Sequence, residues 1–350
     1  MSTSMTFKCP CCGGFLEFDP SQQKFKCYYC GQILSEDDLR DQSEQRQQAA
    51  EAAQEEGSDG ESLRTYQCQM CGAEIVTDAT TAATRCYFCH SPVVLHDRLD
   101  DDFRPDGVIP FQIDKETAEK RFMAYIAKRK FVDRSFFNGA QLEMFSGVYY
   151  PWWYADIEGE GRFEGEGKRS SIATTKTHYI TTTRVFQVER EAKLSFRNMA
   201  RKALMKADGK LSDGIHPYDV SGIKPYAGGY LSGFLAEKRD VPEADAKQGM
   251  LREAEGYAES MLREDAGFNT LTGSAQFSAT ETKMRYVLLP AWVLTYKGGK
   301  DGAPYYYMMN GQTGKVCGRL PIDKKRLWAT ALGVGLAVFL LLCGGGAFIW

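Results

Sequence analysis

The chain carries little of what catalysis usually needs. Its four histidines, His90, His96, His178 and His216, stand in no H-E-x-x-H or nucleophile pattern. No phosphate loop can be read. In "GEGRFEGEGKRSS" Gly161 lies one residue too far from Gly167, and Arg169 stands where a magnesium-binding Ser or Thr belongs; "NGQTGKV" is too short. The carboxylates Asp156, Glu158 and Glu160 alternate as the solvated face of a strand does. The expectation is therefore a protein that is not an enzyme. A formal net charge of −3 gives no general attraction to phosphate, so nucleic-acid binding would need a local basic face, and none is evident. No secretory signal pattern opens the chain, which sets aside a disulfide scaffold for its eleven cysteines and favours a reducing compartment and metal.

What is present begins with those cysteines. Eight of the eleven form four C-x-x-C pairs: Cys9 and Cys12 with Cys27 and Cys30, then Cys68 and Cys71 with Cys86 and Cys89, with fourteen residues between the pairs in each copy. Two such turns joined by a short hairpin bring four thiolates into the tetrahedral shell that zinc prefers. Gly13, Gly31 and Gly72 follow the knuckles and permit the left-handed turn that aims backbone N–H groups at sulfur. A redox role would call for one pair near a βαβ unit rather than four matched pairs. The expectation is two structural Zn2+ ions, with no open position for activating water. Cys11, Cys317 and Cys343 are left over and read as small apolar or partly exposed residues, although Cys11 sits where it could compete as a ligand.

Charges around the ribbons nearly cancel: Lys8, Lys24 and Lys26 against Glu17 and Asp19, and Arg64, Arg85 and Arg98 against Glu74, Asp78 and Asp97. The aromatic pairs Tyr28–Tyr29 and Tyr87–Phe88 could stack on bases, but the phosphate contribution that dominates such affinity is missing. Aromatic tips on rigid knuckles suit protein docking.

The organisation expected is α+β: a zinc ribbon over 1–34, an acidic Gln/Glu-rich linker over 35–62, a second ribbon over 63–96, a scaffold domain over 97–325 and a transmembrane helix over 327–350. The linker has the composition of a flexible spacer, so the ribbons read as tethered rather than fused. In the scaffold, "DKETAEKRFMAYIA" reads as a helix capped by Asp114, and Pro242 to Arg263 as a second, with Asp240 as a possible cap and Met250, Leu251, Ala254, Tyr257, Met261 and Leu262 as its apolar stripe. The remainder is strand-like and fits a mixed antiparallel sheet with helices on one side. "VYYPWWYADIEGEG" and "VLLPAWVLTYKGGK" share V-x-x-P-x-W. Trp153 and Trp292 then read either as core packing in a duplicated sheet or as an aromatic docking edge, and the prolines point to an edge or bulge.

From Leu327 to Trp350 there is no charge, and Lys324, Lys325 and Arg326 stand just before. That pattern gives the expectation of a single-pass protein of the bacterial cytoplasmic membrane with its bulk in the cytoplasm. Small residues Ala331, Gly333, Gly335 and Ala337 raise self-association through this helix.

The paired ribbons, "GVIPFQIDKETAEKRF", "GVYYPWWYADIE", "GGYLSGFLAEKRDV", "YVLLPAWVLTY" and "MNGQTGKVCGRLPI" occur in an order that resembles the bacterial YdjG-type membrane proteins with TFIIB-like zinc ribbons. The resemblance runs over nearly the whole chain. It implies an adaptor that recruits flotillin-like and phage-shock-protein-A-like partners in an envelope-stress system. A helicase role, sometimes attached to such chains, finds no motor motif here. The alternative is a tethered nucleic-acid-binding regulator.

Overall fold

The computed structural model describes residues 2–5, 7–38, 64–68, 74–77, 81–86, 91–95, 103–132, 145–205, 209–264, 267–297, 304–318 and 322–347. Its first strands are short: β1 (Ser2–Met5), β2 (Leu16–Asp19), β3 (Lys24–Cys27), β4 (Ile33–Leu34), β5 (Arg64–Gln67), β6 (Glu74–Thr77), β7 (Thr81–Arg85), β8 (Pro92–Leu95) and β9 (Gly107–Val108). Helix α1 (Lys115–Ala127) follows, then two long strands, β10 (Ser146–Thr174) and β11 (Tyr179–Lys202), and the short helix α2 (Gly209–Gly214). The remaining elements are β12 (Lys224–Pro225), β13 (Leu235–Glu237), α3 (Glu243–Arg263), β14 (Thr270–Lys297), β15 (Pro304–Asn310), β16 (Val316–Gly318) and α4 (Lys324–Ala347).

A large mixed sheet, in the order β12-β9-β14-β10-β13-β7-β8-β1-β5-β6, organises the molecule; β11 lies beside β10, and β15 and β16 extend from β14. Among the described strands, β2, β3 and β4 form a separate sheet. Strands β10 and β14 run antiparallel from Ser146↔Val293 to Lys168↔Thr270, and with β11 they make a three-stranded arm that projects beyond the core.

Local chemistry explains the helices that cover this sheet. Asp114 caps α1, its Oδ1 accepting from the Thr117 N–H at 2.6 Å, and Ala118, Phe122 and Ile126 are buried at helical spacing. Helix α3 starts after Pro242 without a side-chain cap bond; Asp240 accepts instead from the Met205 N–H at 2.8 Å. Its buried face is Ala246, Met250, Ala254, Ala258 and Leu262, whereas Tyr257 and Met261 are half exposed. Three of these five are alanines, and they lie over a glycine-rich strand. A Cβ on Gly161 would stand 3.0 Å from both Leu194 and Leu262, so the helix lies close on the sheet. The alternate residues Glu158, Glu160, Arg162, Glu164 and Glu166 point to the other, solvated face.

The two V-x-x-P-x-W segments lie side by side in the centre of the sheet, Val148 opposite Ala291 and Trp152 opposite Val287. Each tryptophan is buried, at 3% and 4% exposure, which rules out a docking edge. The Trp153 indole N–H donates to the Val241 carbonyl at 3.0 Å and that of Trp292 to the Ile113 carbonyl at 2.9 Å, each just before a helix N-cap. The Ala203 carbonyl accepts from Asp240 and Val241, and the Gly311 carbonyl from Gln112 and Ile113. Short strand, helix, long strand and returning strand thus occur twice, β9 pairing with β14 and β13 with β10, so each copy seats the other's helix. The prolines do not mark an edge. Pro151 and Pro290 accept from Ala203 and Gly311 through their carbonyls, and a residue's N and C=O face the same side in an antiparallel ladder. The missing donor therefore faces the point where β11 or β15 has just ended.

The ribbons are packed on the scaffold rather than hanging from it. Strand β7 pairs antiparallel with β13, and β8 and β1 continue the same sheet. Phe18 and Phe25 of the first ribbon lie 5.1 and 5.8 Å from the Tyr230 ring, and the Ser232 hydroxyl donates to the Leu16 carbonyl at 2.5 Å.

The C-terminal helix corrects the expected fold class and location. Among the described residues no helix is long and apolar enough to cross a membrane, so the transmembrane helix over 327–350 and the single-pass placement built on it are both withdrawn. Helix α4 takes Lys324, Lys325 and Arg326 into its own first turn. Its described apolar side chains reach from Leu327 to Leu342, about 24 Å at 1.5 Å per residue, against about 30 Å of hydrocarbon. Trp350 lies outside the described residues, as does the side chain of Cys343.

Candidate metal centre and its aromatic rim

Strands β2 and β3 pair from Leu16↔Cys27 to Asp19↔Lys24, which carries the second knuckle back over the first. Each knuckle turns on a left-handed glycine, Gly13 at φ 72° and Gly31 at φ 74°, whose N–H groups donate to the Cys9 and Cys27 carbonyls. The ligand atoms of Cys9, Cys12, Cys27 and Cys30 all lie within 4.8 Å of one another. Cys9 Sγ is 3.7 Å from Cys30 Sγ, and Cys12 Sγ is 3.5 Å from Cys27 Sγ. A tetrahedron with Zn–S bonds of about 2.3 Å has edges of about 3.8 Å, so the donor set fits zinc.

Electrostatics argues the same way. Burial raises the Cys27 thiol, but the N–H groups of Cys30 and Tyr29 outweigh it and draw the pKa down to about 7. At Cys30 the Gln32 N–H pulls down, yet crowding by Cys12, Cys27 and Cys9 together with desolvation carries it up to about 12. Four sulfurs this close cannot all ionise unless a cation lies among them. Cys11, exposed, is not part of the cluster.

The second tetrad is described only in part. Cys68 and Cys86 are buried with Tyr66, Val93 and Leu95, and Cys68 Sγ lies 3.4 Å from Ser91 Oγ. Cys71, Cys89, Tyr87, Phe88 and His90 lie outside the described residues, so one four-cysteine cluster stands and a second site is not drawn.

Around the first centre, Tyr28 and Tyr29 are 72% and 65% exposed. They are not loose: Tyr28 stacks on Phe15 at 5.2 Å, and Tyr29 meets Phe15 edge-on at 5.4 Å. Ile33, across from Lys26 in β4, is exposed as well. Of the nearby charges, Glu17 is paired with Arg85 at 2.8 Å, and Asp19 accepts from Ser21. The rim is therefore aromatic, with the exposed Lys24 and Lys26 on the neighbouring strand β3. Its footing on the scaffold includes residues that the sequence pattern did not single out: Tyr230, whose hydroxyl donates to Glu36 at 2.6 Å, and Gly233, whose carbonyl accepts from Arg85. The signal the sequence offered was the glycine itself in "YLSGF", which takes φ 95° in the fold.

Of the histidines, His178 sits at the tip of the β10–β11 hairpin beside Thr177, and His216 packs against Trp152 at 4.1 Å and Tyr218 at 5.0 Å. His90 and His96 lie outside the described residues.

The chain is similar over nearly its whole length to a protein of Bacillus subtilis (strain 168) named "Uncharacterized protein YdjG", 29% identical over 350 residues that cover 98% of this chain and 99% of that one. No family model matches the chain, and no solved structure matches it.

Proposed function

We propose that this protein is a zinc-ribbon adaptor that binds partner proteins through the aromatic rim of its first ribbon. The observation that carries the reading is the pair Tyr28 and Tyr29, exposed yet fixed against Phe15 on a four-cysteine knuckle that is itself anchored to Tyr230. Rigid aromatic side chains lose little conformational entropy on binding and recur as interface anchors. The zinc would be structural, since all four positions are taken by thiolates. By resemblance the candidate partners are flotillin-like and phage-shock-protein-A-like proteins of an envelope-stress system. The likeness to YdjG supports the type of protein but adds no activity.

Purified candidates are to be titrated against the parent and against Tyr28→Ala/Tyr29→Ala. The expected outcome is binding that weakens at least about tenfold in the double variant and changes little with salt, because the contact is apolar. Binding to nucleic acid that falls steeply with ionic strength would replace this reading with that of a nucleic-acid-binding regulator.

A further inference from the structure

The arm carries a long strand edge that nothing among the described residues covers. Strand β11 pairs with β10 from Lys202↔Trp152 to Tyr179↔Thr174 and with no other described strand. It contains neither proline nor glycine, and its ladder shifts only between Ala155 and Ile157, beside Asn198 at φ 55°. From Tyr179 to Arg197 the edge is therefore regular over roughly 60 Å. Proteins usually blunt such edges with proline, bulges or very short strands. None of these three is used between Tyr179 and Arg197; charged side chains, Arg184, Glu189, Arg190, Glu191, Lys193 and Arg197, are the one protection, and Tyr179, Ile180, Val185 and Phe186 are exposed along the edge at 81%, 52%, 57% and 38%.

We propose that this edge is the contact between two copies of the chain, joined antiparallel about a two-fold axis at Val188. Val188 is the midpoint of the free stretch, so this register pairs the edge from end to end. On the face that carries α3, Phe186 then lies opposite Arg190, Leu194 opposite Thr182, and Phe196 opposite Ile180. On the solvated face Gln187 meets Glu189, Val185 meets Glu191, and Thr183 meets Lys193. No like charges stand opposite each other. Centring on residue 187 sets Arg184 against Arg190, centring on 189 or 191 sets a glutamate against itself, and centring on 190 sets Glu189 against Glu191. The charges thus disfavour these registers, since like charges directly opposite across a sheet are repulsive, while centring on 185 or 186 sets no like charges together but pairs less of the edge than Val188 does. The result is one continuous sheet running through two arms, with the metal-bearing ribbons of both copies held in a fixed relation.

The test is the mass of the full chain by sedimentation, with Val185→Glu/Gln187→Glu as the variant. Both positions are exposed and on the solvated face, and far-UV circular dichroism checks that the variant is folded. The parent is expected to run as a dimer. The variant, which sets new carboxylates opposite Glu191 and Glu189, is expected to dimerise about tenfold more weakly. Adding Glu189→Lys/Glu191→Lys restores the dimer, which a merely damaged strand would not do. A monomeric parent overturns the proposal. So does a variant that remains fully dimeric, which would move the contact to another surface such as the exposed apolar side of α4, and so does dissociation without rescue by the charge swap.

Discussion

At the residue scale, the first ribbon turns on Cys9 and Cys27, both buried, and on Cys12 and Cys30, both exposed. Two C-x-x-C pairs fourteen residues apart define the first metal centre without help from the fold, because the knuckle is a local structure set by Cys and Gly positions. Cys27→Ser removes a buried ligand, and zinc measured by atomic emission is expected to fall by about one equivalent per chain, whereas Cys11→Ser leaves it unchanged. Tyr230 and Ser232, which seat the ribbon, were not legible, because their partners lie some two hundred residues away and depend on how the sheet closes. His216 is a second case. Burial against Trp152 and Tyr218, with a smaller push from Lys315, holds its pKa down at about 4 against 6.5. Between those values the unfolded chain binds more protons than the folded one, so this stability is full above about pH 6.5 and is lost as pH falls towards 4. Urea midpoints measured on both sides of that window are expected to differ less in His216→Gln than in the parent; the difference is at most roughly 3 kcal/mol.

At the scale of elements, the existence of the helices and strands was readable, and the packing face of α3 only in part. The Asp114 cap of α1 followed from pattern, since a cap is set within a few residues. For α3, Met250, Ala254 and Leu262 are buried as expected, but Tyr257 and Met261 lie half exposed, and Ala246 and Ala258 complete the buried line instead. The cause lies in another element, the glycines of β10, which let the helix backbone approach. Ala254→Leu is accordingly expected to destabilise by about 1–3 kcal/mol through overpacking, while Tyr257→Ala stays within about 0.5 kcal/mol, both read from denaturant unfolding. Gly165→Ala is a sharper case: its Cβ would lie 2.2 Å from the Thr272 carbonyl oxygen, so the β10–β14 ladder must separate there. Loss of amide-exchange protection around Gly165 and Gly273 is the expected signature.

At the scale of the whole molecule, the repeated V-x-x-P-x-W motif pointed to duplication, but not to the exchange by which each tryptophan holds the other copy's helix. A repeated pattern reveals the copies; only the closed sheet reveals their pairing. The acidic linker suggested independent heads, whereas aromatic contacts to Tyr230 and the β7–β13 pairing make the ribbons part of the scaffold. A charge-free C-terminal run likewise suggested a membrane span that the described helix does not provide. The function proposed here is that the aromatic rim beside the four-cysteine cluster binds another protein. Its most direct test is photo-crosslinking from a benzophenone residue placed at Tyr29, in metal-loaded and metal-stripped protein, with a candidate partner present. The account requires a crosslink to the partner protein that disappears when the metal is removed. A crosslink that survives metal removal, or one formed to nucleic acid instead, would contradict it.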